Sequence, residues 1–193
     1  ITCWNYFSEV TLQTSNIFIN NSSIFGKVYF PRLTVPISIV FSKMIGFFIQ
    51  FSFFIVFIIM YSFSGYDINI NSFVFIIPLI IIIMAVLGLG LGILISSLTT
   101  KYRDLRFLIS FGIQLLMFLT PVIYPLSTVP EKLKLFFIAN PMTPIIETFR
   151  YAFLGSGSFN LIYLLYSAVF SILVLITGIL MFNRVEKTFI DTI

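Results

Sequence analysis

The sequence predicts an all-α, polytopic transmembrane helical bundle with two short re-entrant helices before its last span. Three observations carry that prediction. The 193 residues are 59% hydrophobic and only 9% charged, with a mean hydropathy of +1.10, against roughly 45–50% apolar and about 25% charged in ordinary soluble domains. Four uncharged runs come close to the length of about 20 residues that a helix needs to cross a hydrocarbon core. Polar or basic segments separate these runs, as loops at a membrane surface do.

Taken in order, Ile1 to Ile19 is apolar but interrupted by Glu9, Gln13 and Asn16, which suits the tail of a span rather than a whole one. Trp4, Tyr6 and Phe7 are expected there as interface aromatics. Ser22 to Arg32 is short, carries Lys27 and Arg32, and stops at Pro31, so it is expected as a surface helix or loop on one membrane face. Gly26-Lys27 does not make a phosphate-binding loop: the upstream glycine is absent, and Val28 stands where Ser or Thr must bind magnesium. No other nucleotide motif occurs in the chain. A span follows from about Pro36 to Tyr61, with Lys43 near its start, where a long side chain can snorkel.

After the polar loop around Ser64 to Asn71, a second span runs from Phe73 to Ile95, with a bend possible at Pro78. Gly88 and Gly92 in its second half are four residues apart, the spacing of close helix packing. Ser96 to Arg106 forms a charged collar containing Lys101, Arg103, Asp104 and Arg106. A third complete span is expected from Phe107 to Tyr124, with Gln114 as a mid-membrane polar group for an interhelical hydrogen bond or a lining of the transport path. Pro125, Pro130, Pro141 and Pro144 then cut the chain into pieces too short to span yet apolar enough to dip into a bilayer. Thr128-Val129-Pro130-Glu131 has the pattern of a capping box, predicting a helix that ends at Asn140-Pro141. Thr143 is expected to cap a second helix that stops at Gly155. Glu147 and Arg150 lie three apart on it and can pair. The last span is Leu161 to Phe182, giving about four complete spans and a partial one.

The stretch from Lys101 to Leu133, the later segment Asn140 to Gly155, and the upstream Lys27 to Arg32 (KVYFPR) resemble the type-2 ABC-exporter permeases. These proteins move lipid-linked polysaccharides, O-antigen and teichoic-acid precursors. The resemblance covers nearly the whole chain in the right order. It implies a permease domain over residues 1–193 with six spans in the full family member, so this chain, opening at Ile1 without a Met, is expected to lack the N-terminal helix and first span. It also implies that the two short helices form an extracytoplasmic gate involving Glu131, Glu147, Arg150 and Tyr151.

Orientation follows from charge. Eight basic residues (Lys27, Arg32, Lys43, Lys101, Arg103, Arg106, Arg184 and Lys187) fall on one side, and three (Lys132, Lys134 and Arg150) on the other. By the positive-inside rule the eight face the cytoplasm, and the resemblance implies that the membrane is the inner membrane of a bacterium. Asp67, Asp104, Glu131, Glu186 and Asp191 lie at or beyond span ends, so intramembrane acids are expected to be nearly absent, which weighs against ion-coupled transport. Basic cytoplasmic segments without a nucleotide site fit a permease that docks on a separate ATPase, through Lys27, Arg32, Lys101, Tyr102, Arg103, Asp104 and Arg106. No catalytic, cofactor or metal site is expected on this chain: one cysteine and no histidine leave little for a transition metal, and ATP with magnesium belongs to the partner. Arg32, Lys43, Gln114 and Tyr124 are candidates for the path of a lipid-linked glycan between two permease copies. A permease for drugs or small lipids, or a non-transporting membrane scaffold, remains an alternative.

Overall fold

The computed structural model describes residues 1–17, 31, 33–65, 70–99 and 104–190. Among them every regular element is helical, in the order α1 (Thr2–Ser15), α2 (Thr34–Phe63), a 3₁₀ turn (Ser72–Ile76), α3 (Ile77–Thr99), α4 (Leu105–Phe118), a second 3₁₀ turn (Leu126–Thr128), α5 (Glu131–Ala139), α6 (Met142–Leu154) and α7 (Leu161–Ile190). Three stretches are long and apolar enough to cross a membrane: Thr34–Phe63, Ser72–Thr99 and Leu161–Val185. They form α2, the 3₁₀ turn with α3, and most of α7.

The bundle is built around α3, which packs on α1 and α7. Its glycines explain why it occupies the centre. A Cβ on Gly88 would lie 3.1 Å from Val10 of α1, and one on Gly92 would lie 2.4 Å from Thr14. The small-residue pair therefore does bring two helices close. Gly90 points to the opposite neighbour: its Cβ would fall 2.7 Å from the backbone nitrogen of Leu175 in α7, and a Cβ on Gly178 would fall 2.8 Å from the Gly90 carbonyl oxygen. Alternate glycines thus seat α3 against two different helices, and backbone-to-backbone contact replaces the side-chain interdigitation of a soluble core.

Several local expectations change. Trp4, Tyr6 and Phe7 are buried in the main apolar cluster rather than placed at an interface: Trp4 packs beside Phe7, while Tyr6, on the edge turned toward α2, packs against Phe47 with ring centroids 5.4 Å apart. Pro78 causes no bend within α3. It sits in the first turn of the helix, where no intrahelical N–H bond is lost. The run from Phe107 to Tyr124 is not one helix. α4 ends at Phe118 after 14 residues, about 21 Å of rise. Pro121 is the physical reason, since it disfavours helical geometry at Thr120, and the Thr120 hydroxyl donates back to the Leu116 carbonyl at 2.7 Å.

The helix starts beyond it also differ from the capping pattern. The Thr128 hydroxyl donates to the Pro125 carbonyl at 2.8 Å within the 3₁₀ turn, and α5 begins only at Glu131, after Pro130 and without a side-chain cap, so Thr128 lies outside the position from which its oxygen could accept an N–H of the first turn. At the start of α6 the residue before the helix is Pro141, and it is Asn140, one position further out, whose Oδ1 accepts from the Met142 N–H at 3.0 Å. Thr143 is instead buried inside the helix. The stop at Gly155 is as expected, with the left-handed φ of 62° that glycine adopts without strain.

Candidate functional site

α5 is exposed and has no buried residue, whereas α6 buries Met142, Thr143, Pro144, Ile145, Ile146, Glu147, Thr148, Ala152 and Phe153. Its depth follows from its partners. Phe149 and Phe153 pack edge-on or tilted against Phe51 and Phe54 of α2, with ring centroids 5.2 to 6.2 Å apart. Phe54 precedes the end of α2 at Phe63 by nine residues, about 14 Å along the axis. The chain between α4 and α7 therefore turns back into the bundle and leaves at the same end, which makes this hairpin re-entrant.

Irregular backbone at such depth survives only if its polar groups are satisfied by protein. Arg150 does this for the segment after α4. One guanidinium nitrogen donates to the Tyr124 carbonyl at 3.0 Å and to Glu147 Oε1, and the other donates to the carbonyls of Pro121 and Val122, each at 3.0 Å. Glu147, buried to 2% exposure, completes the arrangement. Its Oε1 accepts from the Leu126 N–H at 3.1 Å and its Oε2 from the Ser158 N–H at 3.4 Å. Gly157, at φ +107°, lies so close that a Cβ there would stand 2.9 Å from Glu147 Oε2. The pair that the spacing suggested is thus formed, and it clamps three segments: 121–126, α6 and 155–158. A planar fork with five donors suits several carbonyls at once, which a lysine could not match. Asn140 adds a further tie by donating to the Thr120 hydroxyl at 2.8 Å.

The other candidate residues are distributed around this clamp. Tyr124 lies beside it and donates its hydroxyl to the Phe118 carbonyl at 3.0 Å. Tyr151 packs against Phe73 and Phe159, and its carbonyl accepts from the Asn71 amide at 3.1 Å. Glu131 pairs with Lys134 at 3.3 Å in an exposed position, a contact of little energetic weight. Gln114 is exposed on α4 and makes no hydrogen bond among the described residues. At the opposite end of the bundle, Asp104 and Arg106 are exposed at the start of α4. Lys27, Arg32, Lys101, Tyr102 and Arg103 lie outside the described residues.

Acids within the helical bundle are present after all. Besides Glu147, Glu9 stands midway along α1 and pairs with Lys43 of α2 at 2.9 Å. Asn5 donates to Gln50 Oε1 at 3.1 Å, linking the same two helices. Glu9 sits in the segment whose interrupted apolarity suits only the tail of a span, which hides its pairing with α2. The regular spacing of Asn5, Glu9 and Gln13 was the available signal.

The whole arrangement can be set beside known proteins. Residues 1–154 match the family model described as ABC-2 type transporter. The chain belongs to the ABC-2 type transporter family. Two O-antigen export system permease proteins, both named RfbA and both from Klebsiella pneumoniae, are each 28% identical to it over 188 residues. In each case the alignment covers 97% of this chain and 71% of the relative. An ABC-2 permease is a membrane transport component, and the clamp lies within the matched region.

Proposed function

We propose that this ABC-2 permease is the membrane subunit of an ATP-driven exporter. It passes a lipid-linked polysaccharide, of O-antigen, capsule or teichoic-acid type, outward across the cytoplasmic membrane of a bacterium. It acts as a homodimer carrying two copies of a separate ATPase, which holds ATP and magnesium. The observation that carries this reading is the similarity to O-antigen export permeases over 97% of the chain, spans and re-entrant hairpin included.

In this reading the collar end faces the cytoplasm. Ser22 to Arg32, with Lys27 and Arg32, forms the principal coupling element, and Lys101, Tyr102, Arg103, Asp104 and Arg106 form the second contact with the ATPase. Arg32, Lys43, Gln114 and Tyr124 border the cargo path. The clamped hairpin is the gate at the outer mouth: Glu147 and Arg150 hold its backbone, while Glu131 and Tyr151 lie on its rim.

Co-expression of the full-length permease with its ATPase, followed by purification and reconstitution, tests the proposal. The two subunits are expected to co-purify, and ATP hydrolysis to drive a lipid-linked glycan across the vesicle membrane. Arg32→Ala and Arg103→Glu should reduce docking or export while leaving the permease in the membrane. Failure of any ATPase to associate would end the exporter reading. Transport of drugs or small lipids in place of glycan would end the assignment of cargo.

A further inference from the structure

At 3.6 residues per turn, Thr2, Asn5, Glu9 and Gln13 of α1 fall within about 80° of one another, and Asn16 continues the line at the helix end. The opposite face, with Phe7, Val10, Thr11 and Thr14, is buried against the bundle. Glu9 remains half exposed even though it pairs with Lys43, and Gln13 is exposed, its side chain without a hydrogen bond among the described residues. The line also has a direction. Ser15 at one end accepts a hydrogen bond from Thr99 beside the collar, at 3.2 Å, and Thr2 at the other end borders the same cleft as Val122, Phe149 and Arg150 of the clamp.

We propose that this face of α1, with Lys43 and Gln50 of α2 along its edge, is a hydrated track that carries the saccharide part of the cargo from the collar end to the clamp. Amide and carboxylate groups turned to hydrocarbon cost several kcal/mol each, so a row of them marks a surface that meets water or polar cargo. The chemistry suits hydroxyl-rich chains. Amides both donate and accept, and the carboxylate is neutralised by its own lysine, so hydrogen bonding is offered without net charge. About one such group is presented per helical turn of 5.4 Å, a spacing comparable to one sugar unit. The saccharide identity of the cargo rests on the export function proposed above.

The test uses the full-length permease with its ATPase in inside-out vesicles, in a cysteine-free background that includes Cys3→Ser. Single cysteines at Asn5→Cys and Gln13→Cys are compared with Phe57→Cys and Leu173→Cys, which replace exposed apolar residues. A charged, water-soluble thiol reagent is expected to modify the two α1 positions more than about tenfold faster than the controls, because only a hydrated thiol ionises. Added lipid-linked glycan should slow that reaction. Gln13→Leu should lower glycan export about fivefold, the effect of one lost hydrogen bond, with the ATPase still bound. Rates equal to the controls, or a disulfide joining two copies through Gln13→Cys, would overturn the track, since the face would then be packed against protein. Fast labelling unaffected by glycan would overturn it as a saccharide path. The export function itself fails separately, when the unmodified complex turns over ATP but moves no glycan.

Discussion

Arg150 does the work of a missing stretch of helix. The carbonyls of Pro121, Val122 and Tyr124 have no helical partners, and three of the guanidinium's hydrogen bonds supply them. Glu147 keeps that guanidinium in place and is itself held by two backbone N–H groups. Removing one member of such a pair leaves the other buried and uncompensated, a loss of about 3–5 kcal/mol. Arg150→Ala and Glu147→Ala should therefore each lower the melting temperature of the detergent-purified protein sharply, and Arg150→Lys should restore little because it cannot fork to three carbonyls. A double variant no worse than either single one would show the coupling directly. Gly157→Ala tests the same clamp from its far side. Its backbone at φ +107° and its contact with the carboxylate make even a methyl group unwelcome, with an expected cost of about 1–3 kcal/mol. A melting curve unchanged by Gly157→Ala would mean that 155–158 is not tied to Glu147.

Among the elements, α3 shows how a membrane helix becomes central without large side chains. Its glycines point alternately at α1 and α7, so the two contacts can be weakened separately. Gly92→Leu should loosen α1, and Gly90→Leu or Gly178→Leu should loosen α7, each costing several kcal/mol on overpacking grounds or preventing accumulation of folded protein. Gly46 and Gly112 have open space around their would-be Cβ atoms. Gly46→Ala and Gly112→Ala should raise the melting temperature slightly, by the up to about 1 kcal/mol that alanine gains over glycine inside a helix. Size-exclusion profiles and thermal melts of the five variants check both groups. The same element shows what the sequence made legible. The apolar runs announced α2, α3 and α7, and the four-residue glycine spacing announced close packing, because both depend on local pattern. The pairing of Gly90 with Gly178 depends on two segments far apart in the chain, and no local pattern encodes that. Likewise Glu147 and Arg150 were legible as a pair three residues apart, while their grip on Pro121 through Leu126 was not. The end of α4 at Phe118 is hidden for a different reason: apolarity continues past the helix, and only Pro121 signals that it stops.

For the whole molecule, the two ends of the bundle have different characters. The end that holds Ser64, Gly65, Ile70, Asn71 and 119–160 is built from a tied-down hairpin, with Tyr166 donating to the Ala139 carbonyl at 2.8 Å and Ser167 donating to that of Pro141 at 2.8 Å. The collar end presents Asp104 and Arg106 to its surroundings. In the proposed exporter, a motor docked on the collar end would reach the far hairpin through α1, which lies against the helix that organises the bundle. The proposed orientation, with the collar end cytoplasmic and the hairpin outside, rests on the charge asymmetry of the sequence. Single cysteines at Lys134→Cys and Asp104→Cys, in cells expressing the Cys3→Ser protein, should behave oppositely toward an impermeant maleimide. The first should be labelled in intact cells and the second only after permeabilisation. The reverse pattern would place the clamp on the cytoplasmic side, where an ATPase would meet the hairpin rather than the collar. The coupling role of Asp104 and Arg106 would then fall with the outer-gate role of Glu147 and Arg150, although the hydrogen-bonded geometry of the clamp would stand.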